Sequence, residues 1–352
     1  MTSHIRTPPT AQPSAPPAAE ATGRTLNWGV VSTGRIVSKV LGDLQALADA
    51  KVCAVSSRNT AKAREFADEH GIDRAYGSYQ ELFADEQVEV VYIATPHGQH
   101  YEIAMAALAA GKHVVCEKSL TINASEARTL VEFAAERSLF LMEALWARFT
   151  PAFARALAIL ASGELGEVTW VQADLGFHAA YDPASRLFDP KAGGGALLDL
   201  GVYPLTWAIG ALGFPESVHA VAQLNQDGVD TQTAMNLSYA GGKHAQLLLT
   251  LNGGAPQQAR VTGTGGWLAT NAPLYNASKL FIHPTDGPPR VEEFEAVGEN
   301  YGYEFREATR CIQQGLTQSP TMPWEHSVKT MELFDTIRES AGVVYPNDLV
   351  TR

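Results

Sequence analysis

The residues best placed to do chemistry are a lysine and a tyrosine, 85 positions apart. Lys118 closes the stretch Cys116-Glu117-Lys118, at the end of the apolar run His113-Val114-Val115-Cys116. Where a parallel sheet opens its ligand crevice, a lysine directly after a buried strand can hold a fixed positive charge beside a reacting hydroxyl. Taken without context, it is a strand-end lysine that points at water. Farther along, the segment from Gly193 to Gly213 turns apolar and helix-like once past its glycines, and Asp199 and Tyr203 stand four apart. That spacing predicts that both side chains leave one face of the helix and address one substrate. Pro204 has no N–H to donate, so it either marks the first turn or bends the helix near Tyr203. The plainer alternative is a core helix with a capped Asp and a buried Tyr.

Together the two groups suit alcohol oxidation. Hydride must leave carbon while a base takes the hydroxyl proton, and a free tyrosine, with a pKa of about 10, is a poor base at neutral pH. A neighbouring ammonium favours the phenolate. It can also hydrogen-bond the reacting oxygen as negative charge develops there.

Positioning these groups requires a regular frame, and the chain supplies one from Leu26. Apolar runs at Leu26 to Val31, Val52 to Ser56, Val88 to Ala94, His113 to Cys116 and Leu139 to Met142 read as strands. Helical patterns at Ile36 to Leu47, Thr60 to His70, His100 to Ala110 and Ala124 to Arg137 separate them, with Gly71 and Gly111 as C-terminal stops. Strand and helix in alternation predict an α/β domain with a doubly wound parallel sheet, the Rossmann arrangement, over residues 26–148. Against the pattern GxGxxG, the first strand-to-helix turn places Ser32, Gly34 and Val37, so only the glycine that lets pyrophosphate approach the backbone is kept. The turn still opens a helix whose N-terminal amides can hold phosphate, which makes Ser32, Thr33, Gly34, Arg35 and Ile36 the candidates for cofactor binding.

The second strand ends in Ser56-Ser57-Arg58-Asn59, without the acidic residue that accepts a ribose 2′-hydroxyl. Arg58, with Ser57 and Lys62 as further donors, suits a 2′-phosphate, so NADP is expected over NAD. A surface arginine beside an indifferent pocket is the alternative. Thr95-Pro96-His97-Gly98-Gln99-His100 forms a turn at the same sheet edge. His97 and His100 lack a third ligand at a diagnostic spacing, so no metal site is expected. They line the nicotinamide side of the crevice or begin the next helix.

With the stretches Met142-Glu143-Ala144-Leu145-Trp146-Ala147-Arg148-Phe149 and Gly193-Gly194-Gly195-Ala196-Leu197-Leu198-Asp199-Leu200-Gly201-Val202-Tyr203, these motifs resemble the Gfo/Idh/MocA oxidoreductases over residues 26–345. Within that family they most resemble the branch of trans-dihydrodiol dehydrogenases, NADP-dependent D-xylose dehydrogenases and aldose oxidoreductases. The resemblance implies a Rossmann domain followed by an α/β domain with a large open sheet. It also implies cofactor contacts from Thr95, Pro96, His97, His100, Glu117, Lys118 and Arg148, a cofactor and substrate wall at Trp146, a substrate-orienting carboxylate at Asp199 and proton transfer by Tyr203. One departure is Ser119, where the family usually carries proline. Ser119 is expected to leave Lys118 less constrained, altering geometry or rate but not function.

Beyond Phe149, eight further strand-like runs from Glu167 to Val297 predict a largely antiparallel sheet, with Ala240-Gly241-Gly242 as a hairpin turn. Residues 149–352 are therefore expected to form the substrate and oligomerisation domain. One sheet face should cover the Tyr203 helix and the other should pair with a second subunit, as a dimer or higher homo-oligomer. Phe177, His178 and Tyr181 offer a polar and aromatic mixture suited to a sugar ring or a cyclic diol. Helices at Phe305 to Gln314 and Trp324 to Ala341 should return toward the cofactor domain.

Composition bounds the rest. With 352 residues, 45% of them hydrophobic and 18% charged, the chain can bury two cores without staples. A formal net charge of −12 argues against nucleic acid or an anionic membrane as partner. The three cysteines show no CxxC spacing and read as buried thiols of a reducing cytoplasm. No apolar run approaches the roughly 18 residues of a membrane span. Residues 1–25, with five prolines between Pro8 and Pro17, read as a disordered tail or as an arm reaching a neighbouring subunit. The expected activity is NADP-dependent oxidation of a polyhydroxylated substrate, an aldose oxidised at C1 foremost. Alternatives are an aldose-aldose oxidoreductase with tightly held NADP, a trans-dihydrodiol dehydrogenase, or a non-catalytic NADP- or sugar-sensing regulator.

Overall fold

Continuous runs of Val, Ile, Ala and Cys need cover on both faces, and a parallel sheet between two helix layers provides it. In the computed structural model, which describes residues 21–349, this is how the first half of the chain is built. Strands β1 (Leu26–Val31), β2 (Ala50–Ser56), β3 (Arg74–Tyr76), β4 (Val90–Ile93), β5 (His113–Glu117) and β6 (Leu141–Ala144) alternate with helices α1 (Arg35–Gln45), α2 (Thr60–His70), α3 (Tyr79–Ala84), α4 (His100–Ala109) and α5 (Ala124–Glu136). All six strands run parallel in the order β3-β2-β1-β4-β5-β6. The order reverses between β1 and β4, so the crevice opens where those strands end. Two elements were not expected from the sequence. Edge strand β3 has only three half-buried residues, and α3, set by a Ser78–Glu81 capping box, is only six residues long.

The second half begins with α6 (Pro151–Ser162) and β7 (Val168–Gly176), followed by helices α7 (Ala196–Leu200) and α8 (Val202–Leu212). Strands β8 (Ser217–Leu224), β9 (Asp230–Ser238), β10 (His244–Thr250), β11 (Ala259–Gly263), β12 (Gly266–Thr270), β13 (Lys279–Pro284) and β14 (Arg290–Glu293) follow. With β7 they make an eight-stranded sheet in the order β14-β13-β12-β11-β7-β10-β9-β8. Every pairing is antiparallel except β7 with β10. The expected turn at Ala240-Gly241-Gly242 joins β9 to β10, with φ of 75° and 79° at its two glycines. Along β10 the buried Ala245, Leu247 and Leu249 alternate with exposed positions, and the buried face meets α8. On the opposite face Leu248 is 38% exposed and Val221 of β8 60%.

Helices α9 (Gly302–Gln313) and α10 (Trp324–Ala341) return to the first sheet. Phe305 of α9 meets Trp28 and Tyr92 edge-on, at centroid separations of 5.8 and 5.2 Å. No single helix among the described residues is long and apolar enough to cross a membrane. The expectation of a tail or arm over residues 1–25 falls mostly outside the described residues.

The helix carrying Asp199 and Tyr203 differs from the expected single cylinder. It breaks at Gly201 into α7 and α8, and the segment Pro190–Leu200 as a whole is inclined by 44° to α8. A Cβ on Gly201 would lie 2.4 Å from the Leu197 carbonyl and 3.2 Å from the Phe334 ring, so only glycine fits the joint. Pro204 sits in the first turn of α8, where its missing N–H costs nothing. At the other end of α7, Gly195 has φ of 115°, and a Cβ there would fall 2.3 Å from Asp230 Oδ1. Asp230 is buried and accepts from the Leu197 amide at 2.8 Å, tying α7 to β9. Gly195→Ala should therefore lower stability by about 2 kcal/mol or more and depress turnover of the folded fraction. Thermal melts and specific activity check this, and an unchanged melting point would remove the proposed fit.

Candidate active site

A cavity of about 770 Å³ opens at the C-terminal ends of β1, β4, β5 and β6 and is closed on its far side by α7 and α8. Of the residues expected from the sequence, Ser32, Gly34, Arg35, Ile36, Thr95, Pro96, His97, Glu117, Lys118, Trp146, Phe177, Asp199 and Tyr203 line it.

Lys118 follows β5 and is almost wholly buried. Its ammonium donates to the Asp199 backbone carbonyl at 2.6 Å and lies 3.5 Å from Asp199 Oδ1. It also sits 5.0 Å from the centre of the Tyr203 ring. The ammonium and the phenol thus share one cavity. Burial works against the charge on Lys118, yet Tyr203, Asp199 and Glu117 raise its pKa above the ordinary lysine value. Burial would likewise raise the Asp199 carboxyl, but Lys118 and Arg186 hold it well below the usual carboxylate range. Arg186 donates through both terminal nitrogens to Asp199 Oδ1, at 3.2 and 3.1 Å. Asp199 Oδ2 accepts no hydrogen bond from any described residue, which leaves it for a ligand hydroxyl.

At Tyr203 burial outweighs the pull of the Lys118 ammonium toward the phenolate, which is present as expected, and pushes the phenol up to about 12. Without ligands it is a neutral acid at neutral pH. Its oxygen accepts from the Trp146 indole N–H at 3.2 Å.

The loop bearing Lys118 is not loose, as the serine after it had suggested. The Lys118 carbonyl faces His97 Nε2 at 3.1 Å, and the buried Ser119 hydroxyl donates to the Leu198 carbonyl at 3.1 Å. His97 Nδ1 faces the Gly193 carbonyl at 3.0 Å. Burial, helped by Lys118, lowers the His97 pKa to about 3. A neutral imidazole has one N–H, so His97 donates to one of these carbonyls at a time.

Other expected site residues lie elsewhere. His100 opens α4 fully buried, with its ring nitrogens 2.8 Å from the Ser119 and Thr95 carbonyls, so it braces the loop and stands outside the lining of this cavity. The Arg148 guanidinium donates to the Thr321 carbonyl at 2.6 Å and meets His326 Nε2 at 3.3 Å, and Arg148 is not on the cavity lining. His178 is exposed in an isolated bridge to Asn252. Tyr181 is 45% exposed and bonded to Asp227 at 2.8 Å and Gln226 at 2.7 Å, so neither residue faces the cavity. Thr33 is half-buried on the first turn but outside the lining, and Ser57, Arg58 and Lys62 lie beyond the cavity where β2 passes into α2.

Sequence reasoning missed Arg186, Lys39, Gln257, Tyr275 and Tyr301, all of which line the cavity. Arg186 lies in an irregular loop without periodicity. Only its place seven residues before the Gly193 triplet hinted at a role. Among the described residues no cluster of His, Cys, Asp or Glu is arranged to hold a metal ion.

The first turn fits a dinucleotide. No side chain caps α1, and its opening residues Arg35 and Ile36 line the cavity, so their amides are left to a ligand. Ser32, in the place of the motif's first glycine, holds φ of 97°, and its hydroxyl accepts from the Gly34 amide at 3.1 Å.

Residues 26–145 match the family model described as the oxidoreductase family with an NAD-binding Rossmann fold, and residues 153–269 match the GFO/IDH/MocA C-terminal domain. The chain belongs to the Gfo/Idh/MocA oxidoreductases and is an enzyme of that class. In particular, it is 36% identical over 333 residues to the human trans-1,2-dihydrobenzene-1,2-diol dehydrogenase, covering 92% of this chain and 99% of that one. Its fold matches an aldose-aldose oxidoreductase from Caulobacter crescentus with a TM-score of 0.83 at 22% identity, over 91% of this chain and 98% of that one. It also matches a 3-ketoreductase from Actinomadura kijaniata, solved with NADP and TDP-benzene, with a TM-score of 0.80 at 26% identity over 90% and 98% of the two chains.

Removing Arg186 leaves Lys118 alone to hold Asp199 ionised, so Arg186→Leu raises the Asp199 pKa. The pH below which Asp199 becomes protonated moves up, and the acid limb of kcat/KM should move with it, alongside a loss of about tenfold at neutral pH. A pH-rate profile that keeps its acid limb in the variant would separate Arg186 from this role.

Proposed function

We propose that the chain is an NADP-dependent dehydrogenase acting on a cyclic polyhydroxylated substrate, foremost an aldopyranose oxidised at C1 to the lactone. The observation that carries the reading is the convergence of Lys118, Asp199 and Tyr203 on one cavity beside the open N-terminus of α1. When bound, the nicotinamide supplies the hydride acceptor. The chain's own residues handle the proton and the charge. Tyr203 exchanges a proton with the reacting oxygen, and Lys118 stabilises negative charge there. Asp199 Oδ2, held ionised from behind, accepts from a neighbouring hydroxyl, which suits a vicinal diol. For the cofactor, Arg58 at the end of β2, with no carboxylate beside it, supports NADP over NAD.

A second reading is favoured by the walls of the site. Trp146, Phe177, Tyr203, Tyr275 and Tyr301 put five aromatic rings on the cavity lining, which suits the flat ring of a trans-dihydrodiol as well as the C–H face of a sugar. The relative named above acts, by its name, on such a diol. Assaying aldoses and trans-dihydrodiols with NADP and NAD at the reduced nicotinamide band separates the two.

The reading includes a homo-oligomer joined through the outer face of the eight-stranded sheet, supported by the exposure of Val221 and Leu248. Sedimentation at micromolar concentration should give a mass above that of one chain, and a monomer alone would rule this out.

Lys118→Ala and Tyr203→Phe should each cut kcat by about a thousandfold or more while leaving the NADP dissociation constant within a few-fold of wild type. Steady-state kinetics and cofactor fluorescence titration measure both. Near-normal turnover in the two variants would reject the mechanism.

A further inference from the structure

The indole of Trp146 carries one polar atom, an N–H that donates and cannot accept. It is spent on the phenolic oxygen of Tyr203, at 3.2 Å in a buried setting. The oxygen is thereby fixed as the acceptor in that pair. The Tyr203 hydroxyl hydrogen meets no acceptor among the described residues, and Tyr203 lines the cavity, so this hydrogen is left for a ligand oxygen.

Trp146 is held firmly enough for that direction to matter. Its ring stacks on Tyr301 with centroids 4.2 Å apart and planes 26° apart, and Tyr275 meets it edge-on at 5.7 Å. Tyr275 also packs against Tyr203 at 4.9 Å, so the three rings and the indole restrain one another. The backbone beneath is pinned as well. Trp146 opens a 3-10 turn directly after β6, and Arg148, two residues on, anchors that turn to the Thr321 carbonyl. This gives Arg148 a structural purpose in place of the cofactor contact expected of it.

We propose that Trp146 is a positioning residue for the proton transfer. Its indole N–H aims the Tyr203 hydroxyl at the reacting oxygen and steadies the phenolate that forms when the proton leaves. In the direction of reduction, the proton passes from Tyr203 to the substrate oxygen as hydride arrives at the substrate carbon. In oxidation both transfers reverse. The phenolate then faces two donors or cations, the Trp146 N–H and the Lys118 ammonium, with Glu117 and Asp199 as the nearby anions and Tyr275 and Tyr301 as the neighbouring phenols. Removing the N–H makes the phenolate harder to form and leaves the hydroxyl free to rotate.

This inference rests on the acid-base role proposed for Tyr203, but the pairing can be read without turnover. In the cofactor-free protein, the Trp146 indole resonance in a 1H–15N spectrum should shift when Tyr203 is replaced by Phe, and in wild type it should move as Tyr203 titrates at alkaline pH. Trp146→Phe keeps a ring against Tyr301 but removes the donor. It should raise the pH at which a 13Cζ-labelled Tyr203 titrates, lower kcat by about tenfold to a hundredfold, and move the alkaline inflection of the kcat profile in the same direction. Trp146→His restores a ring N–H and should recover part of the loss. In a Tyr203→Phe background, Trp146→Phe should add little further loss. An indole resonance indifferent to Tyr203→Phe, or a variant with raised KM and an unmoved titration, would overturn the proposal and leave Trp146 as a wall. Absence of turnover on every aldose and trans-dihydrodiol tested would sink the proposed function while these resonances still reported the pairing.

Discussion

A buried ammonium that belongs to one half of the chain and is satisfied by the other is the constraint on which the site depends. Lys118 grows from the end of β5 in the parallel sheet, and both its close oxygen partners belong to Asp199 on α7. A charge with so little exposure to water is tolerated only when paired and hydrogen-bonded. The seam is closed by further bonds on the same short segments: Ser119 to the Leu198 carbonyl, and His97 between the Lys118 and Gly193 carbonyls. Displacing α7 would therefore strand a cation, break the neighbouring bonds and open the cavity at once. The geometry of the catalytic groups and the docking of the two halves are one structural fact.

The same low-dielectric setting sets the protonation states. The buried carboxyl groups in and around the site are pushed in opposite directions. Asp199 is held charged by Lys118 and Arg186. Glu304, on the first turn of α9, has neither carboxyl oxygen hydrogen-bonded to a described residue, and burial, with Glu117 and Asp43 nearby, pushes its pKa well above the usual carboxylate range. Burial raises Glu117 too, though the Tyr92 hydroxyl donates to it at 2.5 Å and Lys118 pulls the other way. The net effect is a cation beside a neutral phenol. As it stands, such a pairing is suited to proton donation.

Much of this was legible in the sequence because it is periodic or compositional. The apolar runs of β1, β4 and β5 and the strand sequence of the second sheet are local signals, and the structure places them within a few residues of expectation. The Lys118, Asp199 and Tyr203 cluster was legible because each sits at an element boundary marked by glycines or by the end of an apolar run. What escaped was tertiary. Arg148 and His100 look like site residues by position, but neither is on the cavity lining, and each meets partners far away in sequence or across a turn. Arg186 enters the site from a loop whose path no local pattern encodes. The parallel pairing of β7 with β10 in an otherwise antiparallel sheet likewise depends on the long excursion through α7 and α8, not on either strand's own residues.

The bend at Gly201 shows how a correct conclusion can follow from an incomplete picture. On a straight helix, residues four apart share a face, which was the reason to pair Asp199 with Tyr203. In the structure, α7 ends before Gly201, and the two residues occupy different helices, the segment Pro190–Leu200 being inclined by 44° to α8. The bend separates their duties. Asp199 belongs to a five-residue helix fixed by Asp230 and by the Lys118 seam, and it faces the charges. Tyr203 begins the longer, apolar α8, where burial keeps its phenol neutral and the indole of Trp146 can reach its oxygen. A continuous helix would have given both residues one environment. The glycine joint lets an ionised acid and an un-ionised phenol stand four residues apart on the wall of one cavity.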